Sequence, residues 1–238
     1  MNWFERLSLF TPWDFAAIAL LVAAWLVIGW WIEHPGKHPS VSRLMGQYRR
    51  DWMVAMVTRQ PRIFDAQTLS TLRQGTSFFA SATMIAIGGA FAMIGNSDQL
   101  TGLANQLTLE SDPAIVWEIK VLVIVAFLAN AFLKFVWSHR LFGYCAVLMA
   151  ATPNDHDDPV AYHRARQAGE INIFAARSFN RGLRSVYFAL AASAWLVGPW
   201  ALIFAVLLCF SVLWRREFAS QSRKVLMEGN ARSADTPS

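Results

Sequence analysis

The chain has 238 residues and a formal charge of +5; 55% of its residues are hydrophobic and only 16% are charged. Soluble domains carry roughly a quarter charged residues, so this composition excludes a disordered chain and argues against an ordinary soluble domain. Apolar runs long enough to cross a bilayer place the chain among multi-pass, all-α membrane proteins. The two cysteines, Cys145 and Cys209, have the spacing of neither a disulfide framework nor a metal site.

The first apolar run predicts a transmembrane helix over residues 12–32. Thr11 fits an N-cap, Pro12 suits the first helical position, and Asp14 lies near the positive end of the helix dipole. Because no small-residue cleavage site follows, we expect this segment to be retained rather than removed as a signal peptide.

The next segment predicts an amphipathic helix over about residues 40–58. Its apolar positions, from Val41 to Met56, recur at helical intervals, while Arg43, Arg49 and Arg50 lie off that stripe. Such a helix is typical of one that lies along the inner membrane surface.

Two further spans are predicted, over residues 76–94 and 115–137. In the earlier one, small residues recur every four positions and predict a face that packs against a neighbouring span; they are Ala82, Ala86 and Ala90. In the later one, Lys120 and Lys134 lie near opposite ends, where each can reach the headgroups by snorkelling.

The last hydrophobic region, residues 183–214, is too long for one span. Its thirty-two residues would extend ~48 Å as a helix, against a hydrocarbon core of ~30 Å. Gly198 and Pro199 predict a turn in its middle, giving spans over 183–197 and 199–214, although a re-entrant pair or one kinked helix stays open. Ser185, Ala189 and Ser193 are predicted packing residues of the earlier arm.

A cytoplasmic helix is predicted over about residues 159–176, because Asp158 and Pro159 have the N-cap and first-position pattern. We therefore predict one membrane domain over residues 1–220 with five transmembrane helices and a cytoplasmic-surface amphipathic helix. Residues 221–238 are predicted to be a flexible cytoplasmic tail.

The basic residues predict the orientation. Residues 33–75 contain seven Lys and Arg, residues 139–185 contain six, the segment from 215 onward contains five, and residues 95–114 contain none. By the positive-inside rule, the N-terminus lies outside and the C-terminus lies in the cytoplasm, as expected for a multi-pass protein of the inner membrane.

Four sequence strings together resemble one membrane-protein family. They are RQGTSFFAS at 73–81, FLKFVWSHR at 132–140, NRGLRSVY at 180–187 and RREFAS at 215–220. Over roughly residues 15–220 the chain is similar to the bacterial and plant family catalogued as domain of unknown function 599. This resemblance implies a multi-pass membrane location and carries no activity with it.

Basic side chains near the predicted inner interface are the candidate ligand-binding residues. Arg177, Arg181 and Arg184 recur at helical spacing and form a stripe with Asn180. With the other basic residues of that interface they predict a pocket for phosphate or carboxylate headgroups; the full set is Arg73, Lys134, His139, Arg140, Arg177, Asn180, Arg181 and Arg184. The alternative is that these charges only set topology and contact anionic lipid loosely.

No catalytic residue, metal or cofactor is predicted. Pro35 and Gly36 interrupt the helical spacing of His34 and His38, and a solvated loop explains the acidic cluster around His156. We therefore expect a non-enzymatic membrane protein.

Its basic cytoplasmic face is expected to bind an anionic lipid, a small anion or a membrane-protein partner, which could be a second copy, and no nucleic acid. A small-solute or ion transporter or channel is the alternative, and the few polar residues within the spans that support it are Asn130, Ser81 and Thr83. A membrane enzyme comes third.

Overall fold

A computed structural model describes the backbone of residues 8–34, 36, 38–96 and 113–234, with side chains described up to residue 228. Within these ranges the regular structure is helical and contains no strand, which confirms the all-α class. The helices are α1 (Pro12–Glu33), α2 (Val41–Met56), α3 (Ile63–Gly95), α4 (Ala114–Ala150), α5 (Ala161–Ser193), α6 (Pro199–Phe218) and α7 (Gln221–Ala234). Most of the predicted outer loop, residues 95–114, lies outside the described residues.

Three of these helices are long and apolar enough to cross a membrane: α1, α3 and α4. They contain the three predicted spans 12–32, 76–94 and 115–137. Helix α4 continues to Ala150, thirteen residues beyond the predicted end, because no helix-breaking residue occurs before Pro153. The membrane crossing of the last two predicted spans stays a prediction.

Helix α5 joins two elements that the sequence analysis separates. The predicted cytoplasmic helix 159–176 and most of the predicted span 183–197 form one continuous helix of 33 residues. The connection between them is rich in arginine and contains no proline, so nothing in it interrupts the helical hydrogen bonds.

The chain reverses at Gly198, as predicted. This residue has a φ of 148°, a backbone conformation that residues other than glycine rarely adopt. Helix α6 begins at the next residue, Pro199. Ser42 Oγ contacts residues on both sides of this turn, accepting from Asn180 Nδ2 at 3.2 Å and donating to Glu217 Oε1 at 2.9 Å. Asn180 lies 18 residues before Gly198 and Glu217 lies 19 residues after it, and both bond to the Ser42 side chain. Helices α5 and α6 therefore form an antiparallel pair rather than one kinked helix.

The contacts group the chain into two compact units, and the single membrane domain over 1–220 stays a prediction. The first unit comprises the described parts of residues 1–30, 81–132 and 182–213, and the second those of 31–80, 133–181 and 214–238. Helices α3, α4 and α5 each contribute one stretch to each unit.

In the first unit, one stripe of α1 is fully or almost fully buried: Ala17, Leu21, Ala24 and Ile28. Their spacing of three or four residues is that of one helix face. Of the predicted packing residues of α5, Ser185 and Ala189 are buried and Ser193 is exposed. Ser193 lies one position beyond the buried Ala192, so it is not on the buried face of α5.

The three residues of the predicted packing stripe of α3 are not buried among the described residues. Ala82 and Ala86 are exposed and Ala90 is half-buried, whereas Thr83 is 4% exposed. Small size alone does not determine which helix face turns inward, because lipid-facing and protein-facing positions are equally apolar in a bilayer.

In the second unit, α2 is amphipathic as predicted, and its apolar residues are only partly covered by protein, since Met45 and Val54 are exposed. Its position along the membrane surface stays a prediction. Met53 and Met56 are fully buried and pack in one core with residues of α3, α4 and α5. Gly169 of α5 permits this close approach, since a Cβ there would lie 3.4 Å from Arg50 Cα.

The predicted flexible tail forms helix α7 over most of its length. Ser220 Oγ accepts the Arg223 backbone N–H at 3.2 Å, which is N-cap geometry that the sequence analysis did not use. Arg223 Nε donates to Pro39 O at 3.0 Å and ties the start of α7 to the segment before α2.

Candidate functional site

Three of the eight predicted ligand-binding residues line one cavity in the second unit. Lys134 of α4 and Arg177 and Arg181 of α5 surround a space of about 230 Å³, here named the basic cavity. Ser178 Oγ donates to the Lys134 carbonyl at 3.0 Å and joins the two helices at the cavity. The remaining lining is apolar and aromatic, from Trp137, Leu141 and Phe174.

The charge of Arg181 is largely neutralised within the protein. Its Nε lies 2.9 Å from Glu33 Oε1 and 3.1 Å from Glu33 Oε2, and its Nη2 bonds to the same carboxylate. This hydrogen bond raises the pKa of Arg181 above its ordinary value, although partial burial opposes the shift. Arg181 therefore shapes the cavity more than it adds free positive charge to it.

Lys134 and Arg177 supply the uncompensated charge. Within the part of the chain that the structure describes, the Lys134 ammonium has neither a hydrogen bond nor an ion pair. The Arg177 guanidinium lies over the Phe174 ring, 5.7 Å from its centroid, and forms no ion pair with a carboxylate of the described residues. Two cations beside exposed aromatic rings are suited to an anionic group at the level of lipid headgroups.

The other five predicted residues lie elsewhere. Asn180 bonds to Ser42, as described above. His139 Nδ1 lies 3.3 Å from Thr76 Oγ1, and Arg140 Nε donates to Tyr144 Oη at 2.8 Å. The predicted stripe is therefore not one site.

Arg184 and Arg73 have different surroundings again. Arg184 is buried in the first unit, where its Nε would lie 3.9 Å from a Cβ placed on Gly29. Arg73 lines a second cavity of the second unit, together with Arg62 of the segment before α3. Arg62 is one of the seven basic residues counted over residues 33–75 for the orientation. It lies eleven residues, or three helical turns, before Arg73, and this spacing is the signal that could have placed both residues on one helix face.

The polar residues that support the transporter alternative have different surroundings. Asn130 Nδ2 donates to Ser185 Oγ at 2.6 Å and Thr83 is buried, whereas Ser81 is exposed. The transporter alternative stays a prediction.

One group of possible metal ligands occurs among the described residues, at Asp155, His156 and Asp157, with ligand atoms within 4.8 Å of one another. All three side chains are exposed on the loop before α5. Exposed acidic loops of this kind are common without an ion, so the expectation of no metal stays a prediction.

The structure therefore shows a helical protein with three helices that are long and apolar enough to span a membrane, and with a small cavity lined by basic side chains. A family model described as "Protein of unknown function, DUF599" matches residues 16–222, so the chain belongs to that family. No curated protein and no solved structure matches the chain.

Proposed function

We propose that this chain is a non-enzymatic protein of the inner membrane whose basic cavity binds an anionic phosphate group of a lipid. The observation that carries the proposal is that Lys134 and Arg177 line one cavity and have no carboxylate partner among the described residues, while Arg181 beside them has one. Uncompensated cations near a headgroup region attract anionic lipid by ~1 kcal/mol each.

The positive-inside pattern supports a cytoplasmic location for this cavity. The lining residues come from two segments that contain Lys and Arg, 134–141 and 174–181, whereas residues 95–114 have none. Trp137 is half exposed at the cavity, as is typical of aromatic side chains at a membrane interface.

The test is retention of lipid by the full-length protein in nanodiscs that contain equal amounts of phosphatidylcholine and phosphatidylglycerol. Native mass spectrometry after release counts the phosphatidylglycerol molecules that stay bound. The double variant Lys134→Gln with Arg177→Gln should retain at least about tenfold less, because it removes both free cations.

A matched control removes one Arg and one Lys at exposed positions outside the cavity, Arg43 and Lys224. Arg43→Gln with Lys224→Gln should retain phosphatidylglycerol as the unaltered protein does. Equal loss in both double variants would reject the proposal, because general charge rather than the cavity would then hold the lipid. Displacement of the lipid by inorganic phosphate would show that the cavity recognises the phosphate group itself.

A further inference from the structure

The second cavity of the second unit, named here the α3 cavity, has the features of a separate ligand site. Its volume is about 310 Å³, at the lower end of the range of about 300–1,000 Å³ typical of small-molecule sites. It lies between α3 and α4, and its wall combines two arginines with an apolar surface.

Arg62 is held in place by carbonyl groups. Its Nη1 donates to Thr152 O at 2.7 Å, and its Nη2 donates to Pro153 O at 2.7 Å and to Val57 O at 3.2 Å. Carbonyls orient a guanidinium but do not neutralise it, and the Arg62 Nε is buried with no hydrogen-bond partner in the described part of the chain.

Arg73 is less constrained. Its Nε is also buried without a hydrogen-bond partner among the described residues, and no described carboxylate forms an ion pair with it. Ser70, one turn earlier on α3, places a hydroxyl in the same cavity, and none of the residues that line it is acidic. A buried, unpaired donor on a charged group is costly, so this cavity favours an anionic ligand.

The rest of the wall is apolar. Leu69 and Met149 are buried, and Ala66, Ala146 and Ala150 leave room along α3 and α4. The α3 segment beside Arg62 also carries exposed apolar side chains, with Ile63 72% and Phe64 69% exposed, as at a surface that contacts lipid. An ion alone would leave this wall without a partner.

We propose that the α3 cavity binds a single-chain anionic amphiphile, with its phosphate or carboxylate head at Arg73 and Ser70 and its chain between Leu69, Ala146 and Met149. Arg62 lies just before α3 and Arg73 lies three turns further along it, so the two residues are separated by ~16 Å along the helix axis. This distance leaves space for a short alkyl chain along the helix. This site shares no lining residue with the basic cavity and does not depend on the function proposed above.

The test measures equilibrium binding to the full-length protein in nanodiscs of phosphatidylcholine, with empty nanodiscs as the baseline. Decyl phosphate and decanoate probe the two heads, decanol carries a chain of the same length without a charge, and inorganic phosphate is a head without a chain. We expect one or both charged amphiphiles to bind, and decanol and inorganic phosphate to bind at least about tenfold more weakly.

Three variants locate the site. Arg73→Gln should weaken binding of the charged amphiphile by about tenfold or more, Arg73→Lys should retain most of it, and Ala146→Leu should reduce it by filling the cavity. Arg43→Gln, which removes an exposed arginine of α2, should leave binding unchanged. Decanol binding as tightly as both charged probes, or Arg73→Gln and Ala146→Leu binding like the unaltered protein, would overturn the proposal.

Discussion

Trp195 Nε1 donates a hydrogen bond of 2.7 Å to Asp14 Oδ1, joining residues that are 181 positions apart in the chain. Thr11 donates to the other carboxylate oxygen from its backbone N–H at 2.9 Å and from its hydroxyl at 2.6 Å. Both Asp14 and Trp195 are buried, so the start of α1 is attached to the segment that precedes the turn at Gly198.

Trp195→Phe is therefore expected to destabilise the protein. It keeps most of the aromatic volume but removes one of the donors to a buried carboxylate, a loss of about 1.5–3 kcal/mol for a hydrogen bond to a charged group. A lower midpoint of thermal unfolding in dodecyl maltoside micelles is the measurement. Trp200→Phe is the control, because that side chain is 61% exposed and should change the midpoint little; equal shifts in the two variants would contradict this role for Trp195.

Gly198→Ala should also lower stability. A residue with a side chain at a φ of 148° is strained by about 1–3 kcal/mol, even though no atom lies within 4 Å of the added Cβ. Gly143→Ala is the matched control, since that position is helical and equally open and should gain about 0.5–1 kcal/mol. Thermal unfolding of both variants in micelles tests the pair, and a stable Gly198→Ala protein would argue against the turn.

Glu33→Gln is expected to strengthen binding of anionic lipid in the basic cavity. The change releases Arg181 from its carboxylate partner and adds one cation to the cavity. Phosphatidylglycerol retention in nanodiscs should rise by about fivefold, which corresponds to the ~1 kcal/mol of one basic residue near an anionic group. Glu228→Gln, which removes an exposed carboxylate of α7, should have no such effect; a similar rise there would mean that only net charge matters.

The orientation is testable by cysteine labelling in a Cys145→Ala, Cys209→Ala background. Asn105→Cys, in the segment without Lys or Arg, should react with a membrane-impermeant maleimide in intact cells. Ser222→Cys, in the basic segment after α6, should react only after permeabilisation. The reverse labelling pattern would invert the topology and place the basic cavity outside.

Local signals in the sequence predict the helices well, and contacts between distant residues limit the prediction of the site. The turn at Gly198 follows from a Gly-Pro pair within an apolar run that is too long for one span. The neutralisation of Arg181 does not follow from any local pattern, because its partner Glu33 lies 148 residues away in the sequence. The sequence therefore groups Arg73 and Arg181 in one site, whereas they line different cavities. Helical spacing groups residues on one face, but it does not show which of them has a carboxylate partner.

The same limit applies to the helix face of α3 that packs inward. Ala82 and Ala86 have the spacing of a packing face, and the structure buries Thr83 instead. In an apolar helix with an apolar neighbour, one position of rotation changes the buried area little, so the choice depends on partners that a sequence pattern does not identify.

Position 42 has a chemical restriction that follows from its place between α5 and α6. A hydroxyl oxygen both accepts from Asn180 and donates to Glu217, and no carboxylate, amine or thiol does both equally well with a single atom. Only serine and threonine carry such an atom on Cβ, so relatives that keep Asn180 and Glu217 should have one of these two residues at position 42.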